Sequence, residues 1–322
     1  MEVQASVQPL KIAKHFSNKA LGFFETDIYC RLTGQTYPKY PPIFIIGAPR
    51  SGTTLFYQLL VQARAYGYIS NWHCARHAAP GLWHSFTGWR PGKTSGDFAS
   101  SGGRTKSPDG PSECGAFWYR FFPRNPHSAG RGAIPHGRLR QMTASVAALT
   151  QACDAPVIFK NVINSVRMAA LDEAFPDCLF IEVRRDPERN AQSILAQRKL
   201  ENGTYDDWWS VRPAGLTVSD QDDPVRQVFE QIEAVRKSVA ADASTLPDER
   251  FLSVQYEDFL EDTAATLARV DAFVARHTML PATRGQVPPS FPETKAPALP
   301  DALQTEIAAV CNSPAHVPER ST

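Results

Sequence analysis

The chain has 322 residues, 43% of them hydrophobic and 21% charged, enough to bury a full core as one large domain or two modest ones. A formal net charge of +1 excludes nucleic-acid binding driven by bulk charge. Six scattered cysteines without a C-x-x-C pattern argue for reduced thiols over a disulfide frame or a zinc site, and no apolar run approaches the roughly 18 residues of a membrane span.

Residues 1–40 are read as an N-terminal helical extension. They hold no apolar run followed by a small-residue cleavage site, so a cytoplasmic location is expected. "PPIFIIG" (41–47) is a short, β-rich apolar run ending in glycine, the pattern of a buried parallel strand. Phe56, Leu59, Leu60 and Ala63 follow at helical spacing, which predicts a helix from about Thr53. A second strand candidate precedes "NWHCARH". Residues 80–112 are thick with Gly, Ser and Pro, interrupted by Trp83, Phe86 and Trp89. A loop of this length in a compact domain is functional or disordered, and its aromatics suit a segment that covers substrate.

"PVIFK" (156–160) and "CLFIEVRR" (178–185) read as strands with a helix between them. Asp186 caps a helix opening on Pro187, and another helix follows Asp223-Pro224 with a core-facing stripe from Val225 to Val239. "RFLSVQY" (250–256) reads as a further strand and residues 263–277 as a further helix. The tail from 281 to 322 is proline-rich. Alternating strands and helices predict an α/β fold: a three-layer parallel sheet flanked by helices, of the P-loop NTPase-like kind. The expected organisation is one domain over 41–280, with an excursion at about 70–125.

"GAPRSGTTLFYQLL" (47–60) carries the chemistry. It fits G-x-x-x-x-G-K-[ST] at Gly47, Gly52 and Thr54, but Thr53 stands where the lysine should be. After a strand, the amides of residues 50–54 and the helix start form an oxyanion nest, to which Thr53 and Thr54 add hydroxyls and Arg50 a guanidinium. ATP chemistry would want the missing lysine and an acid for Mg²⁺. Glu182 lies inside a strand and Asp186 serves as a cap, which weakens a kinase reading without removing it. A sulfuryl donor needs no metal clamp, because what must be stabilised is charge growing on a leaving phosphate.

"RDPERNAQS" places Arg185 at a strand tip and Ser193 two helical turns further on. With "PRSGTT" in the same order, the chain resembles the sulfotransferases that use 3′-phosphoadenosine 5′-phosphosulfate. The "PRSGTTL" form is similar to the bacterial and the protein-tyrosine or carbohydrate branches. The resemblance covers roughly residues 40–275 and includes "YEDFLEDTAATLARVDAFV" (256–274). It implies that Arg50, Ser51, Gly52, Thr53 and Thr54 hold the 5′-phosphosulfate, and that Arg185 and Ser193 hold the 3′-phosphate. "SFPETK" (290–295) resembles the late adenine-contacting segment, which nominates Ser290 and Phe291.

The acceptor's proton needs a base. Many relatives carry a histidine two or four residues after a strand-end lysine; here Lys160 is present, but Val162 and Asn164 occupy those places. By resemblance to other branches Glu113, in "SPDGPSECGAFWYRFF", is the first candidate base and His73 the second, with His77 and His84 behind them. Lys160 would stabilise the sulfuryl oxygens. An acid in a loop is otherwise a solvated residue, and a lone histidine a hydrogen-bonded filler. Trp72, Trp83, Trp89, Trp118, Tyr119, Trp208 and Trp209 offer faces to an acceptor or fill the core, and 203–213 reads as a lid or subunit-contact segment. The expected partners are a hydroxyl-bearing acceptor and no metal, nucleic acid or membrane span, with a homodimer left open. The alternatives are a P-loop kinase and a nucleotide-binding module without turnover.

Overall fold

The computed structural model describes residues 20–34, 36–87, 98–219, 221–293 and 298–312. Its organising element is β1 (Ile43–Ile46), four apolar residues that are all buried. Strands β2 (Ile158–Lys160), β3 (Leu179–Arg184) and β4 (Phe251–Gln255) join it in the order β2-β1-β3-β4, every pairing parallel. Side chains alternate across a strand, so Phe44 and Ile46 enter one apolar layer while Ile43 and Ile45 enter the other. Register puts Phe44 level with Phe159 and Phe180, and its ring stacks on each at 5.6 Å.

The framing helices are α1 (Thr53–Ala63), α2 (Pro80–Thr87), α3 (His136–Cys153), α4 (Pro187–Asn202), α5 (Pro224–Ala243), α6 (Thr263–Ala275) and α7 (Asp301–Cys311). Phe56, Leu59 and Leu60 of α1 and Val270 and Phe273 of α6 cover one face of the sheet. Met142 and Val146 of α3, Ile194 and Leu195 of α4, and the stripe from Val225 to Val239 of α5 cover the other. Three layers result, as the alternation of elements predicts. Asp186 and Asp223 accept the amides of Arg189 and Arg226 at 2.9 and 2.8 Å, each with proline next in line, so both helix starts follow from local chemistry. The chain leaves β1 towards β2 but leaves β3 towards β4. That reversal opens a crevice beyond the carboxyl ends of β1 and β3, where open α/β sheets bind ligands.

The Gly, Ser and Pro content of 80–112 hides real structure. Residues 80–87 are helical because α2 lies against α3, with Gly81 so near Ala148 that a Cβ there would meet its Cβ at 2.6 Å. Ser100–Ser101 and Arg104–Thr105 form a small antiparallel hairpin, while residues 88–97, with Trp89, lie outside the described residues. The second strand candidate forms no strand and pairs through isolated bridges, Gly67 to Val157 and Ser70 to Pro111. Of the N-terminal extension, residues 24–32 are helical and 1–19 lie outside the described residues. The tail contains α7, docked on α4 and α5 through the buried Ile307. Among the described residues no helix is long and apolar enough to cross a membrane.

Phe44→Ala removes the ring that joins three strands, and should cost about 3–5 kcal/mol of unfolding free energy in urea.

Candidate active site

The loop after β1 folds back tightly before α1. Ser165 Oγ donates to Gly47 O at 2.9 Å, and Asn190 Nδ2 donates to Pro49 O at 2.6 Å, tying the loop to the end of β2 and to α4. Arg50 takes φ 64° and Gly52 φ 95°. Only glycine serves at 52: a Cβ there would sit 2.1 Å from Cδ2 of Tyr256. Thr53 and Thr54 open α1 and face a cavity of about 870 Å³. Ser51 does not line it. Its amide closes the turn onto Ala48 O at 3.2 Å, so it is not part of the open amide nest, and its buried Oγ has no partner among the described residues.

The second motif reaches the same cavity. Arg185 follows β3, and Ser193 lies two turns along α4. Arg50 Nε donates to Ser193 Oγ at 3.1 Å, and Arg185 Nη1 donates to the carbonyl of Arg50 at 3.0 Å. Arg50, Arg185 and Ser193 all line the cavity, as does Tyr256, whose ring lies 4.9 Å from the Arg185 guanidinium. Burial lowers the pKa of both arginines, and for Arg50 the charge of Arg185 lowers it further. Neither makes an ion pair with a carboxylate among the described residues, and the buried Nε of Arg185 has no partner there. Two desolvated cations without a direct ion pair are the kind of arrangement that can receive an anion.

Beside this pair lies a second cluster. Lys160 ends β2, is 2% exposed, and donates to Thr54 Oγ1 at 2.7 Å. Its ammonium also ion-pairs with Glu113, whose backbone carbonyl accepts from Asn161 Nδ2 at 3.2 Å. Glu113, Lys160 and Thr54 come from three separate segments and meet on one wall. Val162 also lines the cavity, whereas Asn164 is buried off the wall.

His73 is elsewhere. Its ring is buried, stacked on His84 at 3.8 Å, with Nδ1 2.8 Å from Ser70 Oγ. Burial and then Arg76 lower its pKa to about 4; burial and then His73 lower that of His84 to about 3. The pair is neutral packing, and the structure corrects the nomination of His73 as a base. Ser290 and Phe291 also lie off the wall. Ser290 is exposed, and Phe291 packs at 5.7 Å on Phe259 and at 5.0 Å on Phe98, which itself lines the cavity.

Trp118 is core, and Trp72 and Trp83 flank Arg76 at 4.0 and 5.0 Å. Tyr119, Trp209 and Ser210 line the cavity. Gln231 ties down this part of the 203–213 segment by donating to the carbonyls of Trp209 and Val211 at 2.9 and 2.6 Å. The sequence reading missed Phe98, Gly103 and Tyr256 as wall residues. For Gly103 the signal was the Gly-Gly pair of a hairpin turn. For Tyr256 it was the Y-E-D segment, used only as a family mark. Among the described residues no three acidic, histidine or cysteine side chains group as a metal site.

A family model described as "Sulfotransferase family" matches residues 41–276. Among solved structures the chain is similar to sulfotransferase STF9 from Mycobacterium avium, with 16% identity, 98% of this chain and 80% of that chain covered, and a TM-score of 0.53. It is also similar to sulfotransferase STF1 from Mycobacterium tuberculosis H37Rv, with 13% identity, coverage of 95% and 80%, and a TM-score of 0.52. At these identities the likeness concerns the fold. No curated protein matches the sequence.

The stacked imidazoles have folded pKa values of about 4 and about 3 against a reference value of 6.5, so the unfolded chain binds more protons below that value. Their contribution to stability is complete above about pH 6.5 and is lost as pH falls towards about 4. A His73→Gln/His84→Gln variant should lose less stability than the wild type between pH 7 and 5, by on the order of 1 kcal/mol or more, read from urea unfolding at each pH.

Proposed function

The chain belongs to the sulfotransferase family, and from that premise we propose that it moves a sulfuryl group from 3′-phosphoadenosine 5′-phosphosulfate to a hydroxyl acceptor. One observation carries the reading. Arg50 and Arg185, from separate crossovers of the sheet, meet at one cavity with neither cation in a direct ion pair with a carboxylate among the described residues. A nucleotide bearing anionic groups at both ends suits that imbalance. The orphaned Arg185 Nε adds a donor still to be satisfied.

In this assignment Arg50, Gly52, Thr53 and Thr54 hold the 5′-phosphosulfate with Ser51 supporting the turn, and Arg185 and Ser193 hold the 3′-phosphate. The donor supplies the sulfuryl group: the acceptor's oxygen–sulfur bond forms as the bond to the 5′-phosphate oxygen breaks. Lys160 neutralises charge on the sulfuryl oxygens from beside Thr54, where its ammonium is almost wholly buried. Glu113 takes the hydroxyl proton as general base, and the Lys160 ion pair holds its carboxylate towards the cavity. The acceptor meets Tyr119 and Trp209, whose ring faces suit a carbohydrate, glycolipid, phenolic or aliphatic hydroxyl. The catalytic unit is assigned to residues 41–280, with the excursion at about 70–125 contributing Glu113.

Calorimetry tests the donor. Adenosine 3′,5′-bisphosphate should bind without Mg²⁺ and far more tightly than ATP with Mg²⁺; the opposite ranking refutes the reading. Arg185→Ala should weaken the bisphosphate by about 1.5–3 kcal/mol while leaving adenosine 5′-phosphosulfate nearly unchanged, and equal losses would withdraw the 3′ assignment. Glu113→Gln should lower turnover at least about a hundredfold with bisphosphate affinity intact. Unchanged turnover would remove Glu113 from the chemistry.

A further inference from the structure

The hairpin of 100–105 turns at Gly102 and Gly103, with φ of 57° and 82°. It is held firmly over the cavity. Gln58 Nε2 donates to Ala99 O at 3.3 Å, and Asn71 Nδ2 to the carbonyls of Thr105 and Ser107 at 2.9 and 2.8 Å. At the tip, Thr54 Oγ1 donates to Gly103 O at 3.3 Å.

What Gly103 lacks is informative. A Cβ at this position would lie 3.2 Å from Glu113 Oε1, 3.5 Å from Thr54 Oγ1 and 3.8 Å from Lys160 Nζ. That point, on the cavity wall that Gly103 lines, faces a carboxylate, a hydroxyl and an ammonium that already contact one another, and a side chain there would project towards them. A reacting group must sit near such a point, within reach of its base and of the donors that stabilise its charge. Gly102 differs. Its Cβ would turn away, to 2.9 Å from Gln197 Nε2 and 3.1 Å from Glu201 Oε1 on α4.

We infer that Gly103 is a positioning residue that keeps open the space of the transferring sulfuryl group, on the cavity side of Glu113, Thr54 and Lys160. The inference rests on the donor reading above and adds where the sulfur sits. A methyl group at 103 would crowd a nucleotide that carries the sulfuryl group and spare the same nucleotide without it. The cost of such crowding is typically about tenfold or more in affinity.

The test compares two ligands on three variants by calorimetry, with the melting temperature of each variant recorded. In Gly103→Ala, affinity for 3′-phosphoadenosine 5′-phosphosulfate should fall at least about tenfold, while affinity for adenosine 3′,5′-bisphosphate stays unchanged. Gly102→Ala imposes similar backbone strain without filling the space, and should treat both ligands alike. Gly103→Asn separates strain from crowding, because asparagine tolerates a left-handed backbone better than alanine yet is larger. It should discriminate at least as strongly as alanine, and it carries the comparison if Gly103→Ala does not fold. Equal losses for both ligands in Gly103→Ala, a matching preference in Gly102→Ala, or a milder effect of asparagine overturns the inference. A wild-type protein that binds neither ligand overturns the donor reading itself, a distinguishable result.

Discussion

Two guanidinium groups share one crevice, and much of the local structure exists to hold them there. Like charges repel, and burial lowers the pKa of each, so Arg50 and Arg185 would separate unless the backbone fixed them. The fixing is visible bond by bond. Arg185 grips the carbonyl of Arg50, Arg50 grips Ser193, and Asn190 grips the carbonyl of Pro49. Gly52 then lets the ring of Tyr256 close over the turn, bringing an aromatic face to Arg185. The destabilisation stored in this arrangement is available to any ligand that brings negative charge to both cations. Strain and unpaired polarity concentrated at a binding site are the usual sign that stability has been exchanged for function.

The ion pair beside it has a different logic. Lys160 is almost wholly buried, and an isolated ammonium at that depth would be costly; Glu113 offsets the charge and Thr54 accepts a further hydrogen bond. The pair therefore belongs to the fold as much as to the chemistry. It brings the far end of a long excursion to the tip of β2 and sets a carboxylate beside the anion loop. The Gly103 turn closes over both. In the proposed reaction, the same lysine that orients the base also meets the transferring group, so positioning and charge stabilisation come from a single side chain.

Much of the frame was legible because it depends on neighbours in sequence. The apolar run of β1, the two Asp-Pro helix starts and the stripe from Val225 to Val239 need only local chemistry and periodicity to be recognised. The helix over Pro80–Thr87 was not legible: its glycine and proline weaken any local signal, and it is stabilised by close approach to Ala148, far along the chain. His73 misled for a similar reason. A histidine after a strand candidate looks available on paper, but its ring is spent on stacking against His84, a partner that only packing supplies. Phe291 is not on the wall either, because it packs behind Phe98, a ring far along the chain that lines the cavity.

By itself, the order of residues determined the strand–glycine–helix turn, its lost lysine and a second arginine at a strand tip, because each is written within about ten consecutive positions. Those features give the class of fold. Tertiary structure alone decided that the arginines face one cavity, that Glu113 and Lys160 touch, and that the turn at Gly103 lies beside them. Such facts are set by how a twisted parallel sheet brings distant strand ends together. No local pattern encodes that distance, because it emerges only when both faces of the sheet are packed.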